Sequence, residues 1–184
     1  PLDGSKLNSK IWKTVINGPG GHEVPVYFLD TRHTSNSERH ISLSDRLYAG
    51  GDEMRVRQEY LLGVGGIRAL KILGHWPLKG LHLNEGHCSM AALEMMRQGW
   101  SREEVSSRTL FTTHTPVAAG HDRFEWDLVE SVVQDLIGPY EKKVANDGDQ
   151  CSMSHLGIGM AGNVNAVSIL NAEVASGMFP GVDI

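Results

Sequence analysis

The stretch LHLNEGHCSMAALEMMRQG, residues 81–99, changes from a strand-like to a helix-like pattern of apolar residues, and this change decides the fold. Its first residues alternate apolar and polar side chains, which is typical of a half-buried strand. A helical-looking run follows from about residue 87 to 98, and Gly99 supplies a common C-terminal stop. We therefore predict a strand over residues 80–85 and then a helix, with Asn84, Glu85 and His87 at their junction.

The same order of strand and helix continues toward the C-terminus. Residues 101–104, SREE, have the form of a capping box and predict a short helix. Residues 109–115, TLFTTHT, are β-branched and aromatic and stop at a proline, which predicts a second strand. The remaining predicted elements are a helix over 125–137 ended by Gly138-Pro139, a loop over 145–150, and a short strand over 164–167 between two helices. This alternation over residues 80–184 predicts an open, largely parallel α/β sheet in one domain.

The N-terminal third of the sequence has a different pattern. Residues 11–16 and 24–30 read as strands on either side of a glycine-rich turn, which predicts an edge hairpin within residues 1–30. Residues 31–46 are polar and irregular and predict a surface loop. Apolar residues at three- and four-residue steps predict a long amphipathic helix over residues 52–73.

Three glycines, Gly63, Gly65 and Gly66, fall inside this predicted helix. Each costs a helix about 1 kcal/mol relative to alanine, so either another backbone packs closely there or the helix breaks. A nucleotide-binding loop is not favoured, because the charged segment before these glycines is not a buried strand.

Composition excludes several classes of protein. The 184 residues carry a net charge of −5, and their lysines and arginines are spread singly, so no basic surface for nucleic acid is expected. Two cysteines do not suggest a disulfide framework, which favours the cytoplasm. No apolar run approaches the roughly 20 residues that a membrane span needs. The first residue is Pro1, so we expect both ends to be cuts within a longer protein.

Polar side chains follow two strands of the predicted parallel sheet. Ligands of such sheets bind outside the carboxyl ends of the strands. Asn84, Glu85 and His87 follow one strand, while Thr113 and His114 end another, so we predict a crevice that suits a sugar. Structural interpretations compete: Glu85 is also suited to cap a helix N-terminus, and the His87 ring to bond nearby backbone. A histidine between two threonines is harder to explain structurally, which favours function for His114.

A metal-dependent hydrolase is the competing chemistry. The potential ligands are His82, Glu85, His87, His114 and His121. No His-Glu-x-x-His or Cys-x-x-Cys is present, and a continuing strand would send His82 and Glu85 to opposite faces. A nucleophilic serine motif is also absent. For Asp122 and Arg123, the interpretation from sequence is a local ion pair or a helix cap.

Four segments in order carry a resemblance to a known family. Residues 48–70, 83–87, 111–117 and 119–124 resemble the short type of α-glucan (glycogen or starch) phosphorylase, within a likeness that runs from about residue 12 to 178. The resemblance implies a Rossmann-like parallel sheet with flanking helices, in the N-terminal half of a GT-B type glycosyltransferase. Members are often dimers and include allosteric enzymes, so a homo-oligomer is expected of the parent protein.

The resemblance also implies an activity and roles for particular residues. Glucan phosphorylases transfer a terminal α-1,4-linked glucosyl unit to phosphate, giving glucose 1-phosphate, and use pyridoxal phosphate. His114 would bind the glucosyl 6-hydroxyl through its side chain and face the developing positive charge with its carbonyl. Asn84, Glu85, His87 and Thr113 would line the sugar pocket, and Asp52 would lie near the cleft mouth. The lysine that binds the cofactor belongs to a second domain, and nothing in this chain resembles its motif.

Residues 164–174 depart most from the family pattern, because two glycines, a lysine and a histidine are replaced there. Two hypotheses follow. In the first, the chain is part of a working glucan phosphorylase and contributes the sugar-side wall of its active site. In the second, the chain is a catalytically silent remnant that binds glucan or a partner. Under either hypothesis we expect the chain alone to be inactive and to expose apolar surface.

Overall fold

The computed structural model describes residues 1–48 and 50–184, so Ala49, within the segment 48–70, lies outside the described residues. The strands are β1 (Lys10–Asn17), β2 (Glu23–Asp30), β3 (Leu81–Asn84), β4 (Thr109–Thr113), β5 (Arg123–Glu125), β6 (Asn146–Asp147), β7 (Gln150–Ser152) and β8 (Asn163–Ala166). The α-helices are α1 (Glu38–Ile41), α2 (Asp52–Tyr60), α3 (Gly66–Ile72), α4 (Met90–Arg97), α5 (Arg102–Arg108), α6 (Trp126–Val133), α7 (Pro139–Ala145), α8 (Met153–Met160) and α9 (Ile169–Met178). Across the described residues, no helix combines the length and the apolarity needed to cross a membrane.

The centre of the molecule is a three-stranded parallel sheet in the order β3-β4-β8. Asn84 pairs with Thr112, and Thr113 pairs with Ala166, so the strands end together at one edge. Leu83 and Phe111 are fully buried in the core formed with the flanking helices. The prediction of an α/β fold with a parallel sheet is confirmed.

Local signals in the sequence explain the ends of two helices. At the start of α5, the Glu104 N–H donates to Ser101 Oγ at 3.1 Å, and the Ser101 N–H donates to Glu104 Oε2 at 2.8 Å. The predicted capping box is therefore confirmed. After α4 the chain turns at Gly99, whose φ of 104° favours glycine.

The long helix predicted over residues 52–73 is continuous but not uniform. A π-helical turn over Leu61–Gly65 joins α2 to α3. A Cβ on Gly63 would lie 2.7 Å from the Ala91 backbone nitrogen, so this glycine lets the helix approach the start of α4. Close backbone packing, the first of the two expected explanations, therefore accounts for Gly63.

Two predictions about the smaller sheets need correction. The hairpin of β1 and β2 is antiparallel, with Trp12 opposite Phe28, but among the described residues it pairs with neither other sheet and is no edge. Residues 145–150, predicted as a loop, contain β6 and the start of β7, which form a second, antiparallel sheet in the order β5-β7-β6. Strands of two or three residues are too short to show alternation in the sequence.

The helix predicted over residues 125–137 is also divided. The α-helix α6 ends at Val133, and a 3-10 turn over Gln134–Leu136 follows. Gly138-Pro139, interpreted as a stop, instead begins α7, because proline at the first helical position needs no N–H partner.

Candidate active site

The candidate site lies where β3 and β4 end side by side. The Glu85 N–H donates to the Thr112 carbonyl at 3.0 Å, which extends the parallel pairing one residue past β3. Asn84 and His114 are exposed at this edge, whereas Glu85 and Thr113 are buried. The structure therefore brings the predicted residues from both strands to one edge of the sheet.

Glu85 holds the loop that follows β4. Its Oε1 accepts hydrogen bonds from the N–H of His114 and from the N–H of Thr115, the latter at 2.6 Å. We call this arrangement, Glu85 with the main-chain N–H groups of His114 and Thr115, the backbone clamp. Bonds of this kind to a carboxylate are among the stronger hydrogen bonds in proteins. The interpretation of Glu85 as a helix cap is wrong, since its side chain caps no helix.

Glu85 also has an unusual backbone conformation. Its φ is 67°, in the left-handed region that residues other than glycine seldom adopt. Such strained positions occur where the surrounding structure fixes them, often at functional sites. The clamp provides that fixation here, because Glu85 is only 6% exposed and its carboxylate is bonded to two amides.

The loop after β4 is supported on two further sides. Asn171 of α9 donates from Nδ2 to the His114 carbonyl at 3.1 Å. The buried His121 has Nε2 3.2 Å from the Thr115 carbonyl and Nδ1 2.8 Å from Ser154 Oγ. Since a carbonyl only accepts, Nε2 carries a proton and donates it to the Thr115 carbonyl. The His114 side chain itself is exposed, and its ring makes no hydrogen bond with any described residue.

Other predicted residues are placed differently. Thr113 is fully buried, and its Oγ1 has no hydrogen-bond partner among the described residues. Asp52 is exposed in the first turn of α2 and forms no ion pair with any described residue. His82 Nε2 lies 2.7 Å from Thr112 Oγ1, on the neighbouring strand.

His87 belongs to a second group of polar residues, which we call the charged cluster: Arg55, Glu59, His87 and Asp122. Asp122 Oδ2 lies 2.6 Å from Arg55 Nη2 and 2.9 Å from His87 Nδ1. Arg55 Nη2 is also 3.4 Å from Glu59 Oε1. Asp122 and Arg123 do not pair with each other as predicted, since Arg123 Nε binds Asp147 Oδ2 at 2.7 Å.

The charged cluster shifts the titration of its members. Hydrogen bonds to Asp122 and Glu59 raise the pKa of His87 to about 9. Burial raises the pKa of Glu59 to about 8. Burial opposes ionisation of Asp122 as well, but hydrogen bonds from His87 and Glu59 and the Arg55 charge hold its pKa below the usual range. The cluster therefore favours protonation at Glu59 and at His87 and ionisation at Asp122, which lies beside the Arg55 guanidinium.

Three members of the charged cluster carry groups that are potential metal ligands. Ligand atoms of Glu59, His87 and Asp122 lie within 4.8 Å of one another. Of the five potential metal ligands predicted from the sequence, only His87 belongs to the charged cluster. Arg55 Nη2 already lies 2.6 Å from Asp122 Oδ2, so a guanidinium fills the place of a cation. The donor set does not fit a metal ion.

A cavity of about 370 Å³ adjoins the charged cluster, between β2, the loop before α2, and α2. Its lining includes Tyr48, Arg55, Glu59 and His87. The Tyr48 ring packs edge-on to His87, with ring centroids 6.2 Å apart, and 4.7 Å from the Arg55 guanidinium. The clamp residues do not line this cavity, so the two groups face different spaces.

Sequence reasoning missed Arg55, Glu59 and Asn171. The spacing of Arg55 and Glu59, four residues apart on a predicted helix, was a signal for a pair. It did not show that Glu59 would be buried or that Asp122 would join it. Asn171 lies in the segment 164–174 that departs from the family pattern, but its contact with His114, 57 residues away, could not be predicted from the sequence.

The fold and site define a class: an α/β unit in which polar residues gather at the carboxyl ends of parallel strands. No protein-family model matches the chain. The chain is similar to the glycogen phosphorylase of Mycobacterium tuberculosis, with 32% identity over 96% of this chain and 23% of that protein. It is also similar to the maltodextrin phosphorylase of Thermococcus litoralis, with 38% identity over 85% of the chain and 20% of that protein. The glycogen phosphorylase of Aquifex aeolicus is 31% identical over 95% of the chain and 27% of that protein.

These similarities make the chain a partial, glucan-phosphorylase-like segment, and the predicted resemblance is confirmed. The chain spans about a quarter of the length of these relatives.

Proposed function

We propose that this chain is part of an α-1,4-glucan phosphorylase and forms the sugar-side wall of its active site. Its α/β unit fits the N-terminal half of a GT-B type glycosyltransferase. The observation that carries the proposal is the backbone clamp, which fixes the backbone of His114 and leaves its side chain exposed at the strand ends. The names of the similar proteins support the substrate class.

In the proposed reaction the glycosidic C1–O bond breaks, a C1–O bond to phosphate forms, and a proton from the hydrogen phosphate ion passes to the leaving oxygen. Positive charge develops at C1 in the transition state. The His114 carbonyl would stabilise that charge with its negative end, and its ring would bond a sugar hydroxyl. A fixed dipole stabilises a transition state well because it needs no reorganisation during the reaction.

The other predicted residues have graded roles in the proposal. Asn84 is exposed beside the clamp and would bond the sugar directly. His87, whose pKa is raised to about 9, would line the sugar pocket from the side of the charged cluster. Thr113 is fully buried and would support the wall without touching sugar. Asp52 would lie near the cleft mouth.

The described residues do not fit a pyridoxal phosphate site. Such a cofactor is held through a lysine, and no lysine comes directly after β3, β4 or β8, where we propose the crevice. The lysines of the chain are Lys6, Lys10, Lys13, Lys71, Lys79, Lys142 and Lys143. We assign no step of this chain to the cofactor and propose that it is bound outside this chain.

The test uses the full-length protein that contains this chain, with maltooligosaccharide and phosphate, and measures glucose 1-phosphate. Replacement His114→Ala removes the ring and its bond to the sugar hydroxyl but keeps the main-chain carbonyl, so kcat/KM should fall by a factor on the order of 10, the size expected of one lost hydrogen bond. His22→Ala, at an exposed position in the hairpin turn, is the matched control and should leave kcat/KM unchanged.

Near-normal kcat/KM of His114→Ala would remove the role given to the His114 ring. A wild-type protein that binds maltooligosaccharide but forms no glucose 1-phosphate would favour the catalytically silent binder over the proposed enzyme.

A further inference from the structure

Asn171 joins α9 to the loop after β4. The residue is buried in the first turn of α9, where its N–H donates to Ser168 Oγ at 3.1 Å. Its side-chain Nδ2 donates to the His114 carbonyl at 3.1 Å. This bond crosses from the β8 side of the sheet to the end of β4.

The orientation of the Asn171 amide follows from its surroundings. Its Oδ1 is buried and has no hydrogen-bond partner among the described residues. A flipped amide would place Oδ1 against the His114 carbonyl, so that two acceptors would face each other. The bond to His114 therefore decides which way the amide points.

Asn171 and Glu85 hold the same peptide unit from opposite ends. The unit between His114 and Thr115 consists of the His114 carbonyl and the Thr115 N–H. Glu85 accepts from that N–H at 2.6 Å, and Asn171 donates to that carbonyl at 3.1 Å. Because a peptide unit is planar, bonds at both ends fix the direction of the carbonyl.

We propose that Asn171 is a positioning residue that aims the His114 carbonyl at the reacting sugar. This inference rests on the proposed function, because the carbonyl matters only if charge develops in front of it. A carbonyl oxygen has two acceptor sites, so the bond from Asn171 leaves one site for the crevice. Asn171 touches no reacting atom and acts through His114.

The experiment measures phosphorolysis by the full-length protein with Asn171→Leu and Asn171→Asp. Leucine has a similar size but cannot donate, so kcat should fall about tenfold, the size expected of one hydrogen bond. KM for maltooligosaccharide and phosphate should change little, because the carbonyl acts on charge that appears in the transition state.

The pH dependence of kcat in Asn171→Asp separates a positioning role from a purely structural one. A carboxylate cannot donate to the carbonyl, but a protonated carboxyl group can. The kcat of Asn171→Asp relative to wild type should therefore rise as the pH is lowered, whereas that of Asn171→Leu should stay level. Aspartate is favourable in the first turn of a helix, so α9 should still form.

Asn36→Leu is the matched control. Asn36 Nδ2 donates to the carbonyls of Asn8 and Thr31, each at 2.7 Å, away from the crevice. Its loss should lower the melting temperature without lowering kcat.

Two results would overturn the inference for an active wild-type protein: an Asn171→Leu kcat within twofold of wild type, or a level pH ratio for Asn171→Asp. If Asn171→Leu fails to fold, the ratio for Asn171→Asp decides. An inactive wild-type protein would remove the proposed function and this role together, whereas an active enzyme insensitive to Asn171 would remove this role alone.

Discussion

The backbone clamp and the charged cluster receive residues from the same short turn after β3, but they hold them differently. Glu85 enters the clamp, where its partners are main-chain N–H groups that do not titrate. His87, two residues later, enters the charged cluster, where its partners are side chains with displaced pKa values. The clamp therefore fixes a position, and the cluster sets a charge that depends on pH.

The largest expected effect comes from breaking the clamp. Glu85→Ala removes two hydrogen bonds to a carboxylate and leaves the N–H groups of His114 and Thr115 without their acceptor. We expect a loss of about 3 kcal/mol in the free energy of unfolding, measured by urea denaturation. Glu85→Gln keeps one acceptor oxygen and should lose less.

The control for the clamp is Glu173→Ala, at an exposed position within α9. It should change the free energy of unfolding by no more than about 0.5 kcal/mol. If Glu85→Ala were as mild as this control, the clamp would not be a stabilising feature.

The second largest loss of stability is expected where the helix that carries part of the charged cluster packs against the start of α4. Gly63 lets the helix that carries Arg55 and Glu59 approach the start of α4, just after His87. Gly63→Ala would place a methyl group 2.7 Å from the Ala91 nitrogen and should cost about 2 kcal/mol by overpacking.

Gly66→Ala is a matched control in the same helix. A Cβ there meets nothing described within 4 Å, and φ is −60°. This variant should gain about 0.5 kcal/mol, because alanine loses less entropy than glycine on folding. Equal losses at both positions would contradict the close contact at Gly63.

The smallest effect concerns the charge of the cluster. Asp122→Asn removes the main hydrogen bond that raises the pKa of His87 to about 9, so the pKa should fall toward its usual value of about 6.5. NMR titration of the histidine rings measures this shift. Asp147→Asn, which removes a carboxylate paired with Arg123, should leave His87 unchanged.

The sign of the linked stability follows from this shift. The folded protein keeps the His87 proton to higher pH than an unfolded chain does. The stabilisation is complete below a pH of about 6.5 and is lost as the pH rises through about 9. Asp122→Asn should weaken this dependence, and an unchanged dependence would show that other groups cause it.

Periodic segments could be predicted from the sequence, whereas short or distant partners could not. The residues around Gly63 and the 101–104 capping box gave the correct elements because their signals are local. The α7 helix was missed because Pro139 fits both the stop of one helix and the start of the next. The β5-β7-β6 sheet was missed because its strands have two or three residues.

In the candidate site, too, local features could be predicted from the sequence and distant contacts could not. The end of each strand placed Asn84, Glu85 and His114 at one edge, because parallel strands share their direction. The role of Glu85 as a clamp depends on a left-handed φ of 67°, which sequence patterns do not indicate for glutamate. The substrate roles of these residues, the cytoplasmic location and the homo-oligomer stay predictions.

The position of Glu85 makes the clamp depend on the length of the turn after β3. From one position it bonds Thr112 through its N–H and the next loop through its carboxylate, and it leads into Gly86. A Cβ on Gly86 would lie 2.8 Å from the Ser154 nitrogen, so that residue has no room to move. An insertion or deletion at this turn would put a different residue in the clamp, so the length of the turn decides which side chain holds the next loop.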